Sequence, residues 1–406
     1  METTTIAVVL VPLLAVLAPM VAALVGRVAK VPLVVFEILL GLLLGPSLLG
    51  WIPESDFTAA LSEFGLAMLF FMAGNEIDFA AIKGRPLKRA GLGWLISLAG
   101  GLAIGLLLAP SFEAGVFIGI ALTSTALGTI MPMLRDAGEL STPFGLAVTA
   151  IGAAGEFGPL VAVSLFLSGR SPLLAAAVLV GFAVIAGAGI WLASRGPNAR
   201  LHAIVTATLH TSGQFAVRLV LLIVAALVVL SVALGLDMLL GAFAAGILYR
   251  VLLSGAKKPD MEFIESKLEA VAFGFLVPVF FIYTGVTFDL NSLLTEPNAL
   301  LLLPVFLVLF LVVRGLPGLL AAPKGATGRD RAAIALFSAT GLPIIVAVTS
   351  IGLDEGILQA GTASALVGAG MLSVLLFPLI ALVQRRRSLG GRPNLPDADV
   401  HVPVEG

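Results

Sequence analysis

Long apolar stretches alternate with short polar breaks along almost the whole chain. Thirteen stretches can be marked, over about 5–24, 31–49, 57–74, 91–109, 113–134, 142–169, 172–194, 213–235, 238–253, 269–288, 299–322, 329–353 and 358–384. At 1.5 Å rise per residue, ~20 helical residues cross a hydrocarbon core of ~30 Å. The stretches fit helices rather than the shorter strands of a membrane barrel, and the ninth is the shortest. The breaks are too short for a soluble domain between spans. The pattern predicts an all-α membrane protein with 13 transmembrane helices. The tail, 385–406, carries Pro, Gly and Asp and predicts a disordered segment. The first stretch lacks a basic leader and a small-residue cleavage site, so it reads as a span and not a removed signal.

Charge turns this pattern into a topology. Of the 23 Lys and Arg residues, 20 fall in the breaks after odd-numbered stretches or in the tail, and only Arg170 falls on the other side. Arg218 and Arg314 lie inside stretches. The opposite breaks hold acids, among them Glu54, Asp56, Glu113, Asp237, Asp289, Glu296, Asp354 and Glu355. Basic loops stay on the cytoplasmic side, so the bias predicts a plasma (inner) membrane protein with its N-terminus outside and C-terminus inside. Composition agrees: 59% of residues are hydrophobic and 12% charged, against about 25% charged in soluble domains. The absence of cysteine excludes disulfides and thiolate chemistry. His202, His210 and His401 have no metal-ligand spacing. No Ser/His/Asp, metal or phosphate-cradling pattern appears, so no enzyme and no cofactor is expected, and nothing points to nucleic acid.

The stretches form two sets of six, about 5–169 and 213–384, joined by a linker helix at 172–194. The sets enter the membrane from opposite sides. EILLGLLLGP in the second stretch resembles MLLGAFAAGI in the ninth. Inverted repeats of this kind place a transport site at their interface near the midplane. The fifth stretch is interrupted by Thr123-Ser124-Thr125, with Gly128 and Pro132 following. The twelfth is interrupted by Ser338-Ala339-Thr340-Gly341-Leu342-Pro343. Proline removes a helix donor and hydroxyls can satisfy the freed backbone, so both helices are expected to break.

Two charges lie deep. Glu156, between Gly155 and Gly158, is the candidate ion- and proton-binding carboxylate, since an acid at bilayer depth is expensive and usually marks an ion path. Arg314 is too deep to snorkel and needs a carboxylate or carbonyl, with Glu156 the obvious partner. Gly155 leaves room beside the carboxylate. Glu37 and Glu63 sit nearer the ends of their stretches and read mainly as buried hydrogen-bonding groups, with Glu37 a reserve ion ligand. Glu76 and Asp78 read as solvated. Arg218 reads as snorkelling, bonded by Gln214.

Together these elements resemble the monovalent cation/proton antiporter superfamily, in its Kef-type branch, the cation/proton antiporter-2 family. The matching segments are VVFEILLGLLLGPSLLG, FGLAMLFFMAGNEIDF, TSTA, GQFAVRL, LGAFAAGIL, VPVFFIYTGVTFDL and VVRGLPGLL, in that order. The resemblance implies a core domain holding two crossed, unwound helices and a panel domain that makes a homodimer. It places Thr123, Ser124 and Thr125 at one crossing and Thr340, Gly341 and Leu342 at the other. It sets Glu156 where the family usually carries its ion-binding aspartate, and Arg314 where it carries a basic residue. The chain departs from the family in having Glu for Asp, and Gly155 where Asp, Asn or Gln often precedes the carrier. The nucleotide-binding regulatory domain of some Kef-type proteins is not expected within 406 residues.

The leading expectation is electroneutral exchange of Na+ or K+ for a proton by alternating access, with the cation as substrate and lipid as surroundings. A channel-like pore of the same fold, or a sodium-coupled symporter of an organic solute, are the alternatives.

Overall fold

The computed structural model describes residues 2–26, 31–77, 79–167, 170–194, 214–253 and 258–389. Asp78, His202, His210, His401, part of the basic loops and the expected disorder of 390–406 lie outside them. The described residues contain helices and no strand: α1 (Glu2–Val25), α2 (Leu33–Leu44), α3 (Asp56–Glu76), α4 (Arg85–Leu108), α5 (Phe112–Ala121), α6 (Leu127–Asp136), α7 (Pro143–Phe166), α8 (Pro172–Ser194), α9 (Phe215–Ala233), α10 (Met238–Leu253), α11 (Lys258–Val271), α12 (Val277–Val286), α13 (Ala299–Leu309), α14 (Gly328–Ser338), α15 (Pro343–Asp354) and α16 (Ala360–Leu389). Among these residues nine helical segments are long and apolar enough to cross a membrane, and four shorter apolar helices accompany them. Each overlaps a stretch that the hydrophobic pattern marks.

Three boundaries differ from expectation for physical reasons. Gly45 leaves the helical region and Pro46 follows, so α2 ends well before 49. α11 starts at Lys258, ahead of the expected 269, because its acidic residues Glu265 and Glu269 line a cavity and its polarity hides it from a hydropathy window. α16 continues to Leu389, into the segment expected to be disordered. Arg385 holds it there: 8% exposed, it donates from Nε to Glu139 Oε1 at 2.7 Å and from Nη1 to Asp330 Oδ1 at 2.8 Å. Its guanidinium also lies over the Phe144 ring.

The helices gather into two groups. In the first, α3 packs on α10 and α2 on α12, with α1 and α9 outside them. The α2–α12 approach is close enough to need glycine on both sides: a Cβ at Gly41 would strike the Ile282 carbonyl, and one at Gly285 the Ile38 carbonyl. In the second group α4 packs on α5 and α7, and α16 on α13, α14 and α15. Both broken helices, α5/α6 and α14/α15, belong to this second group. Two helices contain π turns, Ala272–Leu276 between α11 and α12 and Phe310–Gly315 after α13.

Candidate functional site

Hydroxyls make the first break. Thr123 Oγ1 donates to Ile120 O at 2.8 Å and Ser124 Oγ to Ala121 O at 3.1 Å. These bonds take up carbonyls that the next turn would have used, and α5 stops. The second break follows from Pro343, which has no N–H to offer, with Thr340 Oγ1 donating back to Leu336 O at 3.0 Å.

The two breaks cross. The Ala126 N–H donates to Thr340 O at 2.8 Å, and Thr125 Oγ1 to Ser338 O at 2.7 Å. The Thr125 N–H donates to Gly155 O at 2.9 Å, which ties the crossing to α7. The first turns of α6 and α15 and the last turns of α5 and α14 therefore meet in the interior. Helix N-termini carry partial positive charge and C-termini partial negative charge, so the crossing offers binding surfaces of both signs.

Glu156 is 1% exposed and lies against the backbone N–H of Leu127, the first residue of α6. Its Oε2 is buried without a partner. Arg314 sits on the second π turn and is fully buried. Its Nε donates to Thr125 Oγ1 at 2.8 Å and its Nη2 to Ile151 O at 2.6 Å, while Nη1 is unpartnered. The expected Glu156–Arg314 ion pair is not formed among the described residues. The reason is helical register. Ile151 and Gly155 are one turn apart on α7 and share the face that Arg314 covers, whereas Glu156 is turned about 100° away. Arg314 is satisfied by a hydroxyl and a carbonyl instead.

Gly155 follows from the same packing. A Cβ there would overlap both Thr125 Oγ1 and Arg314 Nη2. The guanidinium thus occupies the space that a side chain before Glu156 would need. Gly341 is pressed against Ser124, and its N–H donates to Ser373 Oγ at 3.1 Å.

Glu63 and Glu76 contradict their expected surroundings. Glu63 is exposed and lines a cavity of about 480 Å³ with Ser62, Tyr283, Thr349 and Asp354, at the end of the bundle that carries the acidic loops. Glu76, expected in solvent, is only 10% exposed at its side chain, has an unpartnered Oε2, and faces Arg135 at 3.8 Å. It lines a cavity of about 540 Å³ at the basic end, with Thr149, Arg250, Glu265 and Glu269. Thr149 lies two turns along α7 from Glu156. Glu37 is buried in a third cavity, which Gly128 and Thr129 of the first turn of α6 also line. Gln214 is not brought to the crossing either; it precedes α9 in a left-handed conformation and its carbonyl accepts the Arg218 N–H. Arg218 is exposed. The Arg385–Glu139–Asp330 cluster was not anticipated, although Thr327-x-x-Asp330 is a legible capping box and forms one.

The sequence model of a family described as "Sodium/hydrogen exchanger, transmembrane" matches residues 13–382. YjbQ of Bacillus subtilis is 25% identical over 86% of the chain, and the chain covers 58% of that protein's length. The "Na(+)/H(+)-K(+) antiporter GerN" of Bacillus cereus is 26% identical, with 86% of this chain and 88% of that protein covered. A solved structure of the sodium proton antiporter MjNhaP1 from Methanocaldococcus jannaschii superposes with a TM-score of 0.63 at 19% identity, covering 96% of this chain and 98% of the other. That likeness speaks to the fold.

Proposed function

The chain belongs to the family of transmembrane sodium/hydrogen exchangers, and on that premise we propose that it exchanges Na+ or K+ for a proton by alternating access, with Glu156 carrying each in turn. The family is one of membrane transporters and not of enzymes. The observation that carries the residue assignment is a buried carboxylate, one oxygen open, at the crossing of two broken helices. A proton or a monovalent cation neutralises the same oxygen, so the two compete for one place. Thr123, Ser124 and Thr125, with the carbonyl ends of α5 and α14, are the polar groups near enough in sequence to share the cation. Arg314, Ser338, Thr340, Gly341 and Pro343 hold the crossing in shape.

The basic-end cavity reaches Thr149 and the acidic-end cavity reaches Thr349, which suits alternate access from two sides. In this reading the helix group with the breaks slides against the group of α1–α3 and α9–α12. The two groups enclose inverted repeats of six spans within thirteen, and the positive-inside bias puts the basic end in the cytoplasm. α1 and α9 bury only 17% and 22% of their apolar windows, which supports a homodimer through them.

The test is exchange in proteoliposomes with a pH-reporting dye, offering Na+, K+ and Li+ in turn. Wild type should dissipate an imposed pH gradient with at least one of them, saturably. Glu156→Gln keeps the shape of the carboxylate and loses its charge cycle. It should fold and lower exchange by at least about 100-fold at every pH, since the charged step has no substitute. Wild-type flux in that variant removes Glu156 from the role.

A further inference from the structure

Glu37 is a second deeply buried acid, and the exchange reading gives it no task. It lies on α2, 4% exposed, and among the described residues no hydrogen bond or ion pair reaches its carboxyl. A carboxylate in that position is expensive unless a proton or a cation joins it. The carboxyl forms part of the wall of a cavity of about 400 Å³. The rest of the wall is mostly apolar: Leu69, Pro132, Phe273, Phe281 and Leu382. The exposed residues Asp136 and Arg386 stand at the rim.

The shape of this site selects its ligand. Ligand pockets are commonly of this size, mainly apolar, with a few polar groups that fix orientation. A bare alkali ion needs a shell of oxygens; inside the rim, where Asp136 stands, the wall's side chains offer it the Glu37 carboxyl and the Thr129 hydroxyl, which already donates to Ala126 O at 2.9 Å. A neutral apolar molecule would leave the carboxyl without a hydrogen-bond partner. An ammonium group on a short apolar stem satisfies both halves of the wall. The walls also come from both helix groups: α2, α3, α12 and the π turn at Ala272–Leu276 on one side, α6 and α16 on the other.

We propose that this cavity is a binding site for a small organic ammonium ion of the alkylamine or aralkylamine class, with Glu37 as its counter-ion, and that its occupant wedges the two helix groups and stops exchange. The wedge rests on the alternating-access reading; the binding does not.

Benzylammonium titrated calorimetrically into the purified full-length protein in detergent separates the two. Saturable binding is expected in wild type and equally in Glu156→Gln. In Glu37→Gln the affinity should fall at least about tenfold, the worth of one charged hydrogen bond. Met133→Trp fills the cavity and leaves Glu37 in place, so it should abolish binding and serves if Glu37→Gln does not fold. Benzyl alcohol should not bind. Undiminished binding in Glu37→Gln or Met133→Trp, equal binding of benzyl alcohol, loss of binding in Glu156→Gln, or displacement by millimolar Na+ or K+ overturns the site. In proteoliposomes benzylammonium should slow wild-type exchange and spare Glu37→Gln. Binding without slowing overturns the wedge and leaves the site standing.

Discussion

The two breaks are alike in backbone and opposite in what they leave open. At the second, Ser373 closes the account: its Oγ accepts the Gly341 N–H at 3.1 Å and donates to Gly370 O at 2.7 Å. At the first, Glu156 and Arg314 each keep a buried atom without a partner. Ser373 follows Gly341 at nearly the interval by which Glu156 follows Thr125. One position therefore carries a satisfied neutral hydroxyl and the other an acid with one oxygen unpartnered. Buried polar groups are almost always paired, so the exceptions mark where a ligand is due. The second break reads as a scaffold that keeps the first in place.

That asymmetry can be broken from the strong end. Beyond Glu156→Gln, the largest effect should come from Arg314→Ala. It removes two charge-assisted hydrogen bonds, to Thr125 Oγ1 and Ile151 O, and leaves a void at the crossing. The loss should be about 3 kcal/mol, read as a lower melting temperature in detergent. Since Arg314 does not touch Glu156, residual exchange should keep the wild-type pH profile; a displaced profile would return Arg314 to the role of charge partner.

Gly155→Ala should come next. The added methyl meets Thr125 and Arg314, and overpacking of this kind costs ~1–3 kcal/mol. Exchange should fall with stability, because the same methyl pushes the guanidinium off the crossing. A variant as stable as wild type would mean that Arg314 has room to move.

How much of this was legible beforehand depends on the physical signal. Spans, breaks and the depth of Glu156 were readable because hydropathy, proline and a carboxylate in an apolar run are properties of single segments. α11 was not, since its acidic turns face a cavity that only the folded chain creates. Arg385 looked like a tail residue because its partners, Glu139 and Asp330, are distant in sequence. The Arg314–Glu156 pairing failed for a finer reason: depth in the membrane is readable from sequence, but the face of α7 that meets a neighbouring π turn is not.

Ser373→Ala probes the quiet side. It unpairs the Gly341 N–H without touching a charge, at about 1 kcal/mol for one neutral hydrogen bond. Exchange should remain within about twofold of wild type, in keeping with so small a change. A collapse of transport with normal stability would show that the second break also handles the ion.

The smallest expected effect is none at all: exchange should be indifferent to membrane potential. Moving one net charge across the membrane gains or costs ~2.3 kcal/mol per 100 mV, so an electrogenic exchanger could not hide its response. Trading two protons for one monovalent cation needs a second titrating group at the crossing. Among the described residues the crossing holds two ionisable side chains, Glu156 and Arg314, and a guanidinium keeps its proton in proteins. The position before Glu156 is blocked by Arg314 itself, and at the second break the polar side chain at the corresponding interval is the neutral Ser373. Glu76 lies at the basic-end cavity 3.8 Å from Arg135, and Glu37 lies in the cavity that Gly128 and Thr129 also line, so neither stands beside Glu156 at the crossing. The neutrality of the second break and the single acid at the first both predict one proton per cation. Proteoliposomes held at about 100 mV by a gradient of the permeant anion thiocyanate, with K+ absent, Na+ as the exchanged ion and equal pH on both sides, should build no Na+ gradient. A sustained gradient would mean that a second acid takes part, and Glu76 would be the first to replace with Gln.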